Sequence, residues 1–383
     1  MAGSFIKKAV RKIPLLNKIY YRMAHLESVQ KFRAKVENKS AVPEEQLLSA
    51  PDIIIDWNSD VKKPLVGLVK DGAVHGYYEK YEKFLLANKI PYEFYDPSRS
   101  DFFEKAQKYD VIIWRVTDKV TGLYEAKQKI EFIEKNSKTL VFPSYKSLWC
   151  YEEKVRQCWF FANNEIPHIK SFVSNNYLES LDYIKRAEYP IISKESTSFS
   201  SLGVDKIKSY KRARKIVNDV FANGKKSTYS WMKQKDYVLF QEYVPNEGYD
   251  LRIVVIDDFF FGYYRYPKKH DYRASGSGIV VKKDIDIEAL DFARKVYAKY
   301  DDSVMLAIDM IKDTRDNQFK VVETSIFIGC ETSQQLKVDD VAGVYRYRAG
   351  KYVFEKGNFW LQEVTLKVFF ERYIKKQLMG NQK

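Results

Sequence analysis

Tyr189-Pro-Ile-Ile-Ser-Lys194-Glu-Ser-Thr-Ser-Phe-Ser-Ser-Leu-Gly203-Val204 reads as a short apolar strand that delivers one lysine to a run of small hydroxyl residues. The run contains Ser196, Thr197, Ser198, Ser200 and Ser201 and closes at Gly203. Small side chains let backbone N–H groups approach an anion, and the hydroxyls add donors. Lys194 supplies a point charge suited to phosphate. The stretch lacks the G-x-x-x-x-G-K-[ST] pattern of a Walker loop. By itself it is equally a plain connection, so its meaning depends on the chain beyond Val204.

Downstream, residues 305–311 and 319–323 read as two strands joined by Lys-Asp-Thr-Arg-Asp-Asn-Gln, a turn composition. Folded about Asp316, they set Asp309 opposite Glu323 on one face, because side chains alternate along strands. Facing carboxylates repel unless a cation lies between them, and magnesium is the hard cation that joins carboxylates to phosphates. A neutralising lysine would serve the same end. Residues 238–244 form a strand that ends Gln241-Glu242-Tyr243-Val244, and Asp250-Leu-Arg252 follows. Together they offer a hydrogen-bonding edge, an acid and a fixed cation. Residues 251–256 and 259–265 read as a hairpin turning at Asp257-Asp258. Arg265, Asp271 and Arg273 then crowd a segment that ends in a Gly/Ser loop, a setting for a carboxylate or phosphoryl group.

Upstream of the quoted stretch, strands at 65–69, 92–95, 111–116 and 139–143 alternate with helices at 77–88, 101–108 and 124–136. That alternation implies a parallel sheet with helices on its faces. No G-x-G-x-x-G follows its first strand, so dinucleotide binding is not indicated. A helix at 152–164 and a strand–helix pair at 169–173 and 177–186 lead into the quoted loop, and a helix at 210–221 follows it. Further helices are expected at 287–299 and, as an amphipathic closing element, at 359–378.

The 383 residues carry 65 Lys and Arg against 51 Asp and Glu, a formal charge of +14. That excess asks for an anionic partner. Nucleic acid is not expected, because the bases are dispersed and no DNA- or RNA-binding motif accompanies them. No apolar run approaches the roughly 20 residues of a membrane span. Cys150, Cys158 and Cys330 are too scattered for a disulfide framework or a zinc site, which points to a reducing, cytoplasmic setting. At the start, Phe5, Ala9, Ile13, Leu16 and Tyr20 recur at helical spacing among Lys7, Lys8, Arg11, Lys12, Lys18 and Arg22. Two readings stand for residues 5–22: a basic helix lying on an anionic membrane surface, or one packed on the body of the protein. Residues 27–58 read as a linker or irregular cover.

The order of these features is more specific than any one of them. A lysine at a helix (Lys154), the Lys194 hydroxyl loop, Gln-Glu-Tyr-Val, Asp-Leu-Arg, Asp-Tyr-Arg, then Asp309 and Glu323 resembles the ATP-grasp superfamily. The likeness is greatest to its carboxylate–amine ligases, such as D-alanine–D-alanine ligase and the α-glutamate ligases. The resemblance covers residues 62–329 and implies an N-terminal parallel α/β domain followed by a two-lobed α+β clamp around ATP. The expected divisions are 1–60 (basic segment and linker), 61–145 (α/β domain), 146–236 (lobe with the phosphate loop) and 237–383 (lobe with the metal site and closing helix).

The resemblance further implies that Lys154 and Lys194 touch ATP phosphates and that Ser200, Ser201 and Gly203 fold over them. It places Glu242 and Val244 at the adenine hinge, Asp250 at the ribose, and Arg252, Arg265 and Arg273 around the transferred phosphoryl group. Asp309, Glu323 and Ser325 fall at the magnesium positions. Two residues depart from the pattern. Ser325 stands where the family commonly has asparagine, with Glu331 as a substitute ligand, and Ala307 stands where the peptidoglycan ligases have arginine.

The implied reaction joins a carboxylate to an amine through an acylphosphate. The opening segment is similar to those of some bacterial proteins that build surface polysaccharides, which suggests an acidic sugar or an amino acid as the acid. Solution-phase amino-acid or peptide ligation and a nucleotide-binding scaffold without chemistry are the alternatives. Expected partners are ATP, the two substrates, an anionic membrane surface and, as a candidate, a second copy of the chain as a homodimer. The expected location is the cytoplasm, peripheral to the inner face of the cell membrane. Each base near a charged surface contributes about 1 kcal/mol. Deleting residues 1–21 should therefore abolish flotation with anionic vesicles at low salt while leaving ATP affinity intact; a full-length protein that stays free of such vesicles refutes the membrane reading.

Overall fold

The computed structural model describes residues 50–71, 76–197, 203–227, 231–269, 271–275, 279–330 and 332–380. The basic opening segment, Ser200, Ser201 and Glu331 lie outside the described residues.

The four short apolar runs of the first 150 residues form strands β1 (Val66–Leu68), β2 (Tyr92–Phe94), β3 (Val111–Ile113) and β4 (Leu140–Phe142). They pair in parallel in the order β2-β1-β3-β4, with Val66 beside both Tyr92 and Val111. Helices α1 (Tyr77–Ala87), α2 (Phe102–Ala106) and α3 (Val120–Asn136) make the crossovers. β1 and β3 are neighbours whose connections leave in opposite directions, so the crevice beyond their carboxyl ends is a topological switch point. Asn88, just past α1, accepts from the Ile55 N–H (2.9 Å) and donates to the Ile53 carbonyl (2.8 Å). These two bonds hold the irregular 50–58 segment as a cover rather than a strand.

A short helix α4 (Tyr145–Leu148) and then α5 (Lys154–Asn163) lead to a second, antiparallel sheet. Its strands are β5 (Ser171–Ser174), β6 (Ile191–Lys194), β7 (Val204–Ile207) and, later in the chain, β10 (Val238–Glu242), in the order β5-β10-β6-β7. Helices α6 (Tyr177–Arg186) and α7 (Tyr210–Phe221) bury Ile184, Ile216, Val217 and Val220 against Ile191, Val238 and Phe240. The ribbon β8 (Lys225–Lys226) and β9 (Lys233–Gln234) follows α7.

The third sheet has eight strands and carries β11 (Asp250–Ile256), β12 (Phe259–Tyr266), β13 (Ile279–Val281), β14 (Met305–Asp313), β15 (Gln318–Ser325), β16 (Lys337–Val338), β17 (Val341–Arg348) and β18 (Lys351–Lys356). Its main path runs β15-β14-β11-β12-β17-β16. The hairpin at Asp257-Asp258 and the one joining 305–311 to 319–323 form as the sequence predicts. The sequence reading passed over the β17–β18 hairpin, although its alternating aromatics meet at Ala349-Gly350, both at positive φ, the geometry of a tight two-residue turn.

Helix α8 (Ile287–Tyr297) and the closing helix α9 (Leu361–Gly380) complete the chain. The first half of α9 is buried nearly all round, not amphipathic as expected, because it runs through the core shared by the first and third sheets. Glu363 pairs with Lys83 at 2.8 Å, and Phe370 stacks on Phe84 of α1 at 5.9 Å and 10°. Phe84→Ala should lower the denaturation midpoint by a destabilisation of about 3–5 kcal/mol, because a large buried ring is lost and a cavity remains. An unshifted midpoint would show that α9 does not depend on this stack.

Candidate active site

The carboxyl ends of β6 and β10 meet β11, β12, β14 and β15 around a cleft of about 470 Å³. That volume lies in the range of small-molecule sites. One end is apolar: Ile169, Val244 and Ile311 form a small buried cluster with Val322, and Ile192 joins the lining. A flat aromatic ring suits such a slot, and the Gln241–Asn246 backbone supplies its polar edge.

The other end is ionic. Strand pairing sets a row of side chains across four strands: Tyr263 opposite Arg252, Arg252 opposite Asp309, and Asp309 opposite Glu323. Arg252 donates to both oxygens of Asp309, at 2.6 and 2.7 Å, a two-pronged guanidinium–carboxylate pair. Arg265 lies 2.7 Å from Asp309 through Nη2 and donates to Asp250 through Nε at 2.5 Å. Burial would raise the Asp309 carboxyl, but the Arg252 and Arg265 guanidiniums hold it well below the usual carboxylate range. Arg252 itself stands behind Asp309 and does not line the cleft.

Lys154 begins α5, and its backbone N–H donates to the Ser196 carbonyl at 2.9 Å, which ties the helix start to the loop after β6. Its ammonium lies 3.2 Å from Glu323. Burial works to lower its pKa, but Glu323 and Glu152 prevail and hold it above the ordinary lysine value. Gln157, one turn further along α5, fixes this geometry. Its amide donates to the Thr324 carbonyl (2.9 Å) and accepts the Thr324 N–H (3.1 Å), so α5 grips β15 beside Glu323.

Lys194 differs from Lys154. It is buried, lines the cleft and forms no ion pair among the described residues. Burial pushes its pKa down, and neighbouring Lys154 adds to that effect while Glu323 opposes it. A desolvated ammonium without a fixed partner is a receptor for an anion.

Of the remaining expected residues, Glu242, Val244, Asp250 and Arg273 line the cleft. Arg273 sits at its rim, 3.0 Å from Asp271, whose carboxyl it pulls down to about 2. Gly203 adopts φ +71 and accepts from the Glu195 N–H at 3.1 Å, a turn that an added Cβ would strain. Ser325 is not brought to the cleft. Its hydroxyl donates to the Phe327 carbonyl at 2.5 Å, so the expectation of a metal-facing oxygen there is not met by its orientation.

The sequence reading missed Glu152, which it took only as the start of the helix at 152–164. Glu152 adopts φ 55, and one of its carboxylate oxygens is buried without a hydrogen-bond partner. Burial, then the nearby Glu323, pushes its carboxyl up to about 8. It missed Gln157 as well, because nothing local in Arg-Gln-Cys-Trp announces a partner 167 residues away.

Among the described residues no three His, Cys, Asp or Glu side chains group together to hold a metal. The donor set still fits magnesium, an ion that commonly takes one or two carboxylates and completes its shell from phosphates and water. Asp309 and Glu323 both line the cleft, with their charges balanced by arginine and lysine.

A parallel α/β sheet, an antiparallel lobe with a strand that ends in a buried lysine and a larger antiparallel sheet that carries acids make up the ATP-grasp fold. The RimK-like ATP-grasp domain family matches residues 151–344, half of the chain, and the chain belongs to that family. D-cycloserine synthetase DcsG superposes with a TM-score of 0.56 at 13% identity, over 80% of this chain and 99% of that one. A RimK domain ATP-grasp protein of Sphaerobacter thermophilus gives 0.48 at 16%, over 68% and 89%. Carboxyaminoimidazole ribonucleotide synthase of Aspergillus clavatus gives 0.45 at 13%, over 69% of this chain but 64% of its own length. No curated protein sequence matches the chain.

Lys194→Ala should weaken ATP binding by about 2–3 kcal/mol, the scale of a charge-assisted contact left unpaired. Its lowered pKa sets a sign as well. Free protein loses the Lys194 proton earlier than an ordinary lysine does as pH rises, and bound phosphate restores it. ATP binding should therefore take up protons at alkaline pH, and affinity should fall as pH rises there. Calorimetry in buffers of different ionisation enthalpy reads both, and an unaltered affinity in Lys194→Ala would remove the residue from the site.

Proposed function

We propose that the protein is an ATP-dependent ligase that joins a carboxylate to an amine through an acylphosphate. The observation that carries the reading is the convergence of Lys154, Lys194 and the Asp309–Glu323 pair at one end of a cleft whose other end is an apolar slot. Adenine would lie in the slot against Val244, with the ribose toward Asp250 and the phosphates toward the two lysines.

The substrate carboxylate oxygen attacks the γ-phosphorus, and the bond to the β–γ bridging oxygen breaks, releasing ADP and leaving an acylphosphate. The amine lone pair then attacks the acyl carbon. The carbon–oxygen bond to phosphate breaks, inorganic phosphate leaves and the amine loses its proton. Neither step needs a nucleophilic side chain, since positioning and charge neutralisation dominate phosphoryl transfer. Lys154 and Lys194 would hold and neutralise the phosphates, while Arg265 and Arg273 face the transferred group. Magnesium, held by Asp309 and Glu323, would supply further neutralisation of the phosphate charge.

For the substrates, an acidic sugar or an amino acid in surface-glycan synthesis at the inner membrane face is the reading favoured by the +14 charge and the basic amphipathic opening segment. An α-amino-acid or peptide ligase in solution is the enzymatic alternative. A nucleotide-binding scaffold without chemistry is the second class, supported by the Ser325 hydroxyl being engaged with Phe327. Among the described residues no helix is long and apolar enough to cross a membrane.

ADP release from ATP, magnesium and pooled acids and amines separates ligase from scaffold. Asp309→Asn and Glu323→Gln should each abolish that release, because each removes a charge that keeps the phosphates in line. Ser325→Asn should be tolerated. Full turnover in both carboxylate variants would sink the metal assignment and the ligase reading with it.

A further inference from the structure

Arg115 directly follows Trp114 at the carboxyl end of β3, so it stands in the switch-point crevice between β1 and β3, where open α/β sheets receive ligands. Its guanidinium carbon lies 5.6 Å from the Tyr77 ring centre and 5.8 Å from that of Phe327. Tyr77 and Phe327 meet edge to face at 5.7 Å, and Tyr151 closes on Phe327 at 5.5 Å. Three aromatic rings thus surround one cation.

That cation is only partly satisfied among the described residues. Its Nε is buried without a hydrogen-bond partner, and Arg115 forms no ion pair among the described residues. The acids that face it, Asp71 and Asp118, are not in contact with it. Asp71 is engaged elsewhere, accepting the Tyr77 N–H at 2.8 Å at the start of α1. A partly buried guanidinium whose Nε–H is buried without an acceptor carries a cost that an arriving anion can recover.

The crevice also adjoins the phosphate end of the cleft. Phe327 is four residues beyond Glu323, a span of at most about 14 Å, and Tyr151 is three residues before Lys154, at most about 11 Å. Glu152, next to Tyr151, is close enough to be influenced by Glu323, Lys154 and Arg252 as well as by Asp118.

We propose that Arg115, walled by Tyr77, Tyr151 and Phe327, is the subsite that binds a carboxylate of a substrate whose hydroxyl or ammonium groups face Asp71 and Asp118. The proposal rests on the ligase reading above and names the substrate class for it. A planar carboxylate matches the guanidinium fork in two parallel hydrogen bonds, and the rings exclude water from them. The two acids favour hydroxyl or ammonium donors beside the carboxylate, which selects a uronic acid or an amino acid over a simple diacid.

The test is calorimetry on full-length protein with ADP and magnesium present, titrated with D-glucuronate, L-glutamate, succinate and inorganic phosphate. D-Glucuronate or L-glutamate should bind, succinate should bind more weakly, and Arg115→Met should lose at least tenfold in affinity. Arg115→Lys should recover part of the loss, and ATP affinity should be unchanged in both variants. Arg115→Met should melt no lower than the parent, since it removes a partly buried charge that has no ion pair among the described residues and leaves an apolar side chain against the rings. The proposal is overturned if neither acid binds, if Arg115→Met binds them as well as the parent does, or if phosphate competes on equal terms. A variant that fails to fold also overturns it, by showing the arginine to be structural. Loss of ATP binding in the parent protein would instead overturn the ligase reading, so the two failures are distinguishable.

Discussion

The ion cluster on Asp309 is the constraint around which the larger sheet is arranged. A carboxylate buried on the strand next to the edge of a sheet is tolerable only if its charge is matched and its oxygens are hydrogen-bonded. Arg252 and Arg265 do both, and they come from two different strands. The match fixes register: a one-residue slip of β11 against β14 would turn Arg252 to the opposite face and leave Asp309 alone. Removing one partner of such a cluster costs about 3–5 kcal/mol, chiefly because the remaining charge is stranded. The strands that carry the site are therefore locked by the charges of the site.

The same logic distributes the cations that face the nucleotide end of the cleft. Lys154 is neutralised in place by Glu323, and Gln157 holds helix and strand together so that the pair persists. Lys194, at a comparable depth, has no ion pair among the described residues. One lysine thus reaches the cleft already ion-paired, and the other reaches it with no ion pair among the described residues. Burial, to which the neighbouring Lys154 adds, keeps Lys194 more prone to deprotonate than an ordinary lysine.

How much of this can be read in the sequence depends on the range of the interactions. The alternation of short apolar runs with helical spacing pointed to the parallel sheet, and the hairpins at Asp257-Asp258 and Asp316 came from local turn chemistry. The placement of Asp309 opposite Glu323 was expected from strand periodicity and a turn about Asp316, but the hairpin pairs Asp313 with Gln318, and an irregularity between Asp309 and Met310 restores the Asp309–Glu323 pairing. What compensates those acids was not readable, because Arg252, Arg265 and Lys154 reach them across strands or from a helix more than 150 residues away. Arg252 read as a phosphate contact but stands behind Asp309. The β17–β18 hairpin was passed over despite a legible alternation, since Ala-Gly is a quieter turn signal than Asn-Gly. The buried first half of α9 reflects docking on α1, which no property local to the helix announces.

Ser325 shows what a departure from a family pattern can mean. Its hydroxyl donates to the Phe327 carbonyl and accepts the Phe327 N–H at 3.3 Å, a side-chain turn that bends the chain as it leaves β15. The bend brings Phe327 onto Tyr77 and Tyr151 and lets the Ile328 backbone exchange hydrogen bonds with the Tyr77 hydroxyl, at 2.6 and 3.2 Å. The residue two positions past Glu323 therefore joins the acid-bearing strand to the helix that borders the switch-point crevice. An oxygen at this position has two uses, closing the turn or facing a metal, and one hydroxyl cannot point both ways. Asparagine, with a longer side chain and the same capacity for a local turn, could meet either demand. Serine here is committed to the turn, so the coupling between the ionic end of the cleft and the N-terminal sheet is built into β15 itself.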